Sequence, residues 1–202
     1  MLLESGTGLA FLRSAHLYLM KALQPVHSVN ERQLASITLQ KKEGSCSQRA
    51  AVLEAIARAA GIPTRVHAFG VKGSFWYLRF RFTRPFIPKC ILLLWPQFYI
   101  DGNGLDFDEL HASIDQLATN TTDGFTDTGE SLFEAVAATP VDFLGKTCGL
   151  ACSKPEHNLS KFLVTNYGVF ETRDEAFEGL GSFQNTWRGR AFEFIFGGRK
   201  SS

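Results

Sequence analysis

Apolar positions recur at helical spacing from the start of the chain. Leu9, Leu12, Leu17, Leu19, Met20 and Leu23 predict a helix over 8–24, ended by Pro25. His16 lies in it, at a position read as surface or half-buried. Residues 30–40 predict a short second helix with Asn30 as its cap, Glu31 in its first turn, and Leu34, Ile37 and Thr38 toward the core. From Gln48 to Ala60 every residue is a good helix former or small and apolar. Val52, Ile56 and Ala59 share one face with Leu53, Ala57 and Ala60 beside it, which predicts a mostly buried helix. Ser45 or Ser47 can cap it, Gly61 suits the position just past its end, and Pro63 cannot continue it.

Beyond that helix the period changes to two. Residues 64–70, 74–83, 90–100 and 105–108 read as strands, the near-continuous run Cys90 to Trp95 as one covered on both faces. Asp101-Gly102-Asn103-Gly104 is a hairpin signal. Further on, 119–130 is a polar loop and 131–138 a short helix. Thr172 to Gly179 is another helix, and 191–196 an aromatic tail. The pattern predicts an α+β fold in which the cysteine-bearing helix packs on an antiparallel sheet covered by helices from both ends of the chain. Residues 1–118 form its core and 119–202 an extension packed on it as one compact unit.

Composition narrows the function classes. The chain has 202 residues, ordinary hydrophobic and charged fractions, and a net charge of +1, so nothing in it points to nucleic acid or a membrane surface as partner. Eighteen phenylalanines predict an aromatic-rich core. No apolar run approaches the ~20 residues of a membrane helix, and no basic segment precedes the first apolar residues, so a reducing cytoplasmic setting is expected. Cys46, Cys90, Cys148 and Cys152 form neither a disulfide framework nor a zinc pattern, and no cofactor is called for.

The candidate chemistry lies at Cys46. Free N–H groups and the macrodipole at a helix start favour an anion, so a thiol placed there loses its proton more readily. Arg49, three residues on, lies on the same face. A small buried cysteine closing a turn is the alternative reading of the same residues. The stretch GSCSQRAAVLEAIARAAGIPTRV resembles the cysteine motif of the transglutaminase-like superfamily, a branch of the papain-like cysteine enzymes. Gly44, Cys46, Ala50, Arg58, Gly61, Ile62, Pro63, Arg65 and Val66 carry the resemblance. It implies a papain-like fold and makes Cys46 the nucleophile of acyl chemistry.

A second block, LLWPQFYIDGNGLDFD, resembles that family's histidine and aspartate region through Trp95 and Asp108, the latter at the place of the third catalytic residue. The resemblance puts the catalytic histidine at Leu93, and leucine cannot carry a proton. His67, on the strand after the cysteine helix, is the candidate replacement, because neighbouring strands lie only ~5 Å apart. His111, about one helical turn beyond Asp108, is a weaker one. Gln40 is noted as an oxyanion-binding side chain upstream of the cysteine. The expected function is amide or ester cleavage, transfer or formation through a Cys46 thioester on a small-molecule or peptide substrate, with Asp108 or His67 assisting. The alternative is a catalytically inactive binding or scaffold protein on the same fold.

Overall fold

A computed structural model describes residues 5–26, 28–78, 84–100, 102–106, 159–182 and 186–196. The helices are α1 (Ser5–Ala22), α2 (Ala35–Lys41), α3 (Cys46–Ala59), α4 (Arg173–Leu180) and α5 (Trp187–Phe196). The strands β1 (Thr64–Lys72), β2 (Cys90–Ile100), β3 (Asn103–Asp106) and β4 (Leu163–Phe170) form a four-stranded antiparallel sheet in the order β3-β2-β1-β4. The α+β class with an antiparallel sheet is as the sequence predicts. The expected strand 105–108 starts earlier, at Asn103, and its residues past 106 lie outside the described ones. So do residues 119–130, the helix expected over 131–138, Cys148, Cys152 and His111.

Among the described positions of α1, Gly8, Leu12, His16 and Leu19 are buried, and Leu23, just past its end, continues the stripe at three- and four-residue spacing. His16 is therefore fully buried, not at the surface: its register places it between Leu12 and Leu19. The second helix starts later than expected, with Leu34 as its cap residue and no side-chain cap bond, while Asn30 lies in the preceding loop. Leu34 and Ile37 are exposed, and Thr38 alone of the three expected core positions is buried. Thr38 faces Gly44, where an added Cβ would stand 2.8 Å from Thr38 Cγ2 and 3.3 Å from both Arg49 Cγ and Gln48 Cβ. A parallel bridge of Gln24–Pro25 with Glu43–Gly44 joins the end of α1 to the same turn. Gly44 is thus glycine because two helices close on its backbone just ahead of Cys46.

β1 pairs with β2 from Thr64↔Phe98 to Lys72↔Cys90, and the chain between them turns at Gly73. The strand expected over 74–83 is not formed in its described part: Gly73–Leu78 is a 3-10 helix. Its aromatic residues have high strand propensity, but Gly73 N–H bonds Lys89 O at 3.0 Å and Phe75 is drawn into the core, edge-on to Phe162 at 5.4 Å. Tertiary packing overrides propensity here. The sheet's remaining strand comes from the C-terminal segment: β4 pairs with β1 from Val66↔Phe170 to Val71↔Leu163, with register shifts at Ala68/Phe69 and Gly70/Val71.

Two clusters hold the fold together. The larger joins Leu12 and Leu19 of α1 and Leu23 just beyond it, Val52, Leu53 and Ala57 of α3, and Phe69, Val71, Trp95 and Phe98 of the sheet. The smaller joins Val66, Ala68 and Leu94 of the sheet to Ala176 and Phe177 of α4. Among the described residues no helix is long and apolar enough to cross a membrane.

Gly44→Ala is expected to destabilise the protein by about 1–3 kcal/mol, the usual cost of overpacking a filled site. Thr38→Ser, which removes the opposing methyl and keeps the hydroxyl, should recover most of that loss. Urea unfolding of the two single variants and the double variant checks it; additive losses would contradict the contact.

Candidate active site

Cys46 is the first residue of α3, and its thiol is exposed and free of any disulfide. Its place is fixed by a capping box. Ser45 is the N-cap: its Oγ accepts from Gln48 N–H at 3.4 Å, and Gln48 Oε1 accepts from Ser45 N–H at 2.9 Å. Gln48 is buried, and its Nε2 donates to Ser28 Oγ at 3.1 Å and to Asn30 O at 2.8 Å. The helix start is thereby tied to the loop 28–33. At its other end α3 stops as expected, with Gly61 in the left-handed region at φ 82°. Arg49 is fully buried, and Gln40 is exposed on α2.

A buried ion pair locks the same helix from a third side. Glu54 of α3 is only 1% exposed. Arg173, the first residue of α4, meets its Oε1 with Nη2 at 2.7 Å and Nε at 2.8 Å. Arg173 Nη1 donates to Ser47 Oγ at 3.0 Å, and Nη2 to Leu94 O at 3.3 Å. One guanidinium therefore joins the first turn of α3, its buried carboxylate and the main chain of β2 beside Leu93. Thr172 caps α4 by accepting from Glu175 N–H at 3.1 Å, which fixes where Arg173 begins. Arg58 adds a second cation 3.8 Å from Glu54 Oε2. Removing one partner of such a buried pair typically costs about 3–5 kcal/mol.

His67 lies in β1, 7% exposed, between Trp95 of β2 and Val169 of β4 in the sheet register. Its ring stacks on Phe69 at 4.2 Å. Its Nε2 is 2.7 Å from Asn166 Oδ1, which also accepts from Gly168 N–H at 2.9 Å. An oxygen that accepts from a backbone N–H is the amide oxygen, so Nε2 of His67 is the donor in this pair. Nδ1 is buried, with no hydrogen-bond partner among the described residues. Leu93 pairs with Phe69 and packs, half-buried, against the larger core cluster. Asp108 lies outside the described residues.

The residues that sequence reasoning missed are Asn166, Glu54 and Arg173. A signal existed for one of them: Glu54 interrupts the apolar arc of α3, and a buried carboxylate requires a cation. A depression of about 450 Å³ lies elsewhere, lined by Gly61, Pro63, Arg65, Tyr99 and Glu171. It opens at the far end of the 14-residue α3, roughly 20 Å along the helix from Cys46. Cys46 and this depression are therefore separate places.

Comparison with known proteins bears on the stretch that holds Cys46, His67 and Leu93. The sequence pattern of the transglutaminase-like superfamily matches residues 7–105. This part of the chain belongs to the transglutaminase-like superfamily. The match ends before Asp108, and it includes neither Asn166 nor Arg173, which come from the C-terminal segment. No curated protein and no solved structure matches the chain.

Glu31, in the loop held by Gln48, has its carboxyl pushed up from 4.5 to about 7, chiefly by burial, with the Arg173 charge opposing. The folded state therefore holds a proton that the unfolded chain releases above pH 4.5. Wild-type stability should fall relative to Glu31→Gln as pH rises from about 4.5 to about 7, and the gap should stay constant above that window. Urea unfolding of both proteins at pH 5 and pH 8 measures it; an equal gap at the two pH values would contradict the buried carboxyl.

Proposed function

We propose that this transglutaminase-like protein is a cysteine acyl-transfer enzyme with Cys46 as nucleophile and a non-standard base. The observation that carries the reading is the exposed Cys46 thiol at a helix start fixed by a capping box and by Arg173. A cysteine serving only to close a turn would be sealed under apolar side chains. An exposed thiol among the free N–H groups of a first turn suits thiolate chemistry.

His67 takes the role of base. The arrangement with Asn166 supports this, since a ring that donates through Nε2 has Nδ1 ready to accept a proton. In the reaction, His67 Nδ1 takes the thiol proton and the sulfur attacks the carbonyl carbon of an amide or ester. A C–S bond forms and the carbonyl electron pair moves to oxygen, toward the N–H groups of the helix start. The pair returns, the bond to the amine or alcohol breaks, and the leaving group takes the proton from the imidazolium. Water or an acceptor amine then attacks the thioester and restores the thiol. Asp108 is a further candidate to assist, and the substrate is a small molecule or peptide.

A second reading, a binding or scaffold protein without catalysis, is favoured by Leu93, which packs against the core where the resemblance places a histidine. The test is acylation by p-nitrophenyl acetate, followed by intact mass. The expected result is one acetyl group on wild type, none on Cys46→Ala, and acylation slowed about 10²-fold or more in His67→Ala, the usual contribution of a general base. Equal acetylation of wild type and Cys46→Ala would favour the non-catalytic reading.

A further inference from the structure

Arg173 holds the main chain of β2 one residue past Leu93, the position where the resemblance places a histidine. Its Nη2 holds the carbonyl of Leu94, next in the chain to Leu93, and its Nη1 holds the hydroxyl of Ser47, next to Cys46. In a cysteine–histidine site, the imidazolium contributes a positive charge near the thiolate as well as a proton relay. Leucine contributes neither. The Arg173 guanidinium cannot relay a proton, because it is never deprotonated in proteins, but it is a permanent cation.

Its orientation is fixed. Glu54 occupies the Nε and Nη2 edge of the fork, so the Nη1 end is the one turned to the first turn of α3. Glu54 does not cancel the local charge, since Arg58 lies 3.8 Å from its other oxygen and two cations share one carboxylate. The other charged groups around this end come from three elements. Arg49 is on α3. Glu31 and Arg32 are on the loop. Asp174 and Glu178 of α4 are exposed and lie at 4.0 and 3.9 Å from Arg32. Glu31 stays largely neutral below pH 7, held so by burial. Well below that pH, Glu31 therefore offsets little of the positive charge at the helix start.

We propose that Arg173 is a positioning residue for Cys46: it bolts the first turn of α3 to the strand at Leu94 and presents the positive end of its pair with Glu54 to the thiol. This supplies, from the C-terminal segment, the electrostatic half of the role that Leu93 cannot fill. The inference rests on the reading of Cys46 as a nucleophile. It also makes α4 part of the working site rather than a cover on the fold.

The test is the pH dependence of Cys46 alkylation by iodoacetamide in the full chain, read by peptide mass mapping. The proteins are wild type, Ser47→Ala, Arg173→Lys, Arg173→Gln and Arg65→Ala. The last breaks the Arg65–Glu171 ion pair, 2.8 Å long, and leaves the Arg173 contacts in place. Wild type and Arg65→Ala are expected to share one midpoint. Arg173→Gln should raise it by about one pH unit, the size of one nearby charge. Ser47→Ala should move it the same way, and Arg173→Lys should fall between, keeping the charge but not the fork. If Arg173→Gln does not fold, Ser47→Ala decides, because it removes a single contact at a half-buried position. An unshifted midpoint in folded Ser47→Ala, with a low-pH midpoint in wild type, overturns this inference alone. A wild-type thiol that reacts only near the ordinary ~8.5 overturns the reading of Cys46 itself.

Discussion

A carboxylate inside the buried face of a helix must be met by a cation, and Glu54 sets that condition for this protein. Its partner, Arg173, is 119 residues away in the chain. Satisfying Glu54 therefore brings α4 against the cysteine helix and draws β4, which immediately precedes α4, into the sheet beside β1. The same guanidinium then has donors left for Ser47 and for the Leu94 carbonyl. One ion pair thus couples the C-terminal segment, the helix start and the strand that carries Leu93. Such pairs are weak evidence for net stability, since their desolvation offsets much of their attraction. What this one provides is geometry: Arg58 reaches only Oε2, at 3.8 Å, and it is Arg173 of α4 that meets Oε1.

The second constraint is the turn before Cys46. Gly44 lets Thr38, Gln48 and Arg49 close on the backbone, and the capping box holds the next residue. Together with the bridge from Gln24–Pro25, this turn is anchored from α1, α2 and the loop 28–33. The exposed thiol therefore sits on a rigid base, which is what an acyl-transfer nucleophile requires if it is to meet a carbonyl in a defined direction.

What the sequence made legible was local. The capped start of α3, its Gly61 stop, the strand that follows and the hairpin at Gly102 all rest on contacts within a few residues, and each is where short-range chemistry puts it. The failures share a different cause. His16 is buried by helical register against α3 and the sheet, and no residue near it in the chain signals that burial. Residues 73–78 give up strand propensity for the aromatic contact between Phe75 and Phe162. Asn166 meets His67 across 99 residues, through a bulged pairing that no local pattern encodes. The candidate site was legible in the same uneven way: the sequence pointed to Cys46 by its motif and to His67 by its strand, Asp108 lies outside the described residues, and nothing local pointed to Asn166 or Arg173.

The most direct measurement compares, in one tube, Cys46 and Cys90, the exposed cysteines outside any disulfide among the described residues. Cys46 and Cys90 differ in setting: one begins a capped helix beside Arg173, the other begins strand β2. At pH 6.5, limiting iodoacetamide with peptide mass mapping gives their relative rates with identical reagent and solvent. The account predicts that Cys46 is labelled at least about tenfold faster, as a thiolate stabilised by roughly one unit or more demands. Equal rates, or faster labelling of Cys90, would mean that the helix start and Arg173 do not activate the thiol, and would contradict the account at its centre.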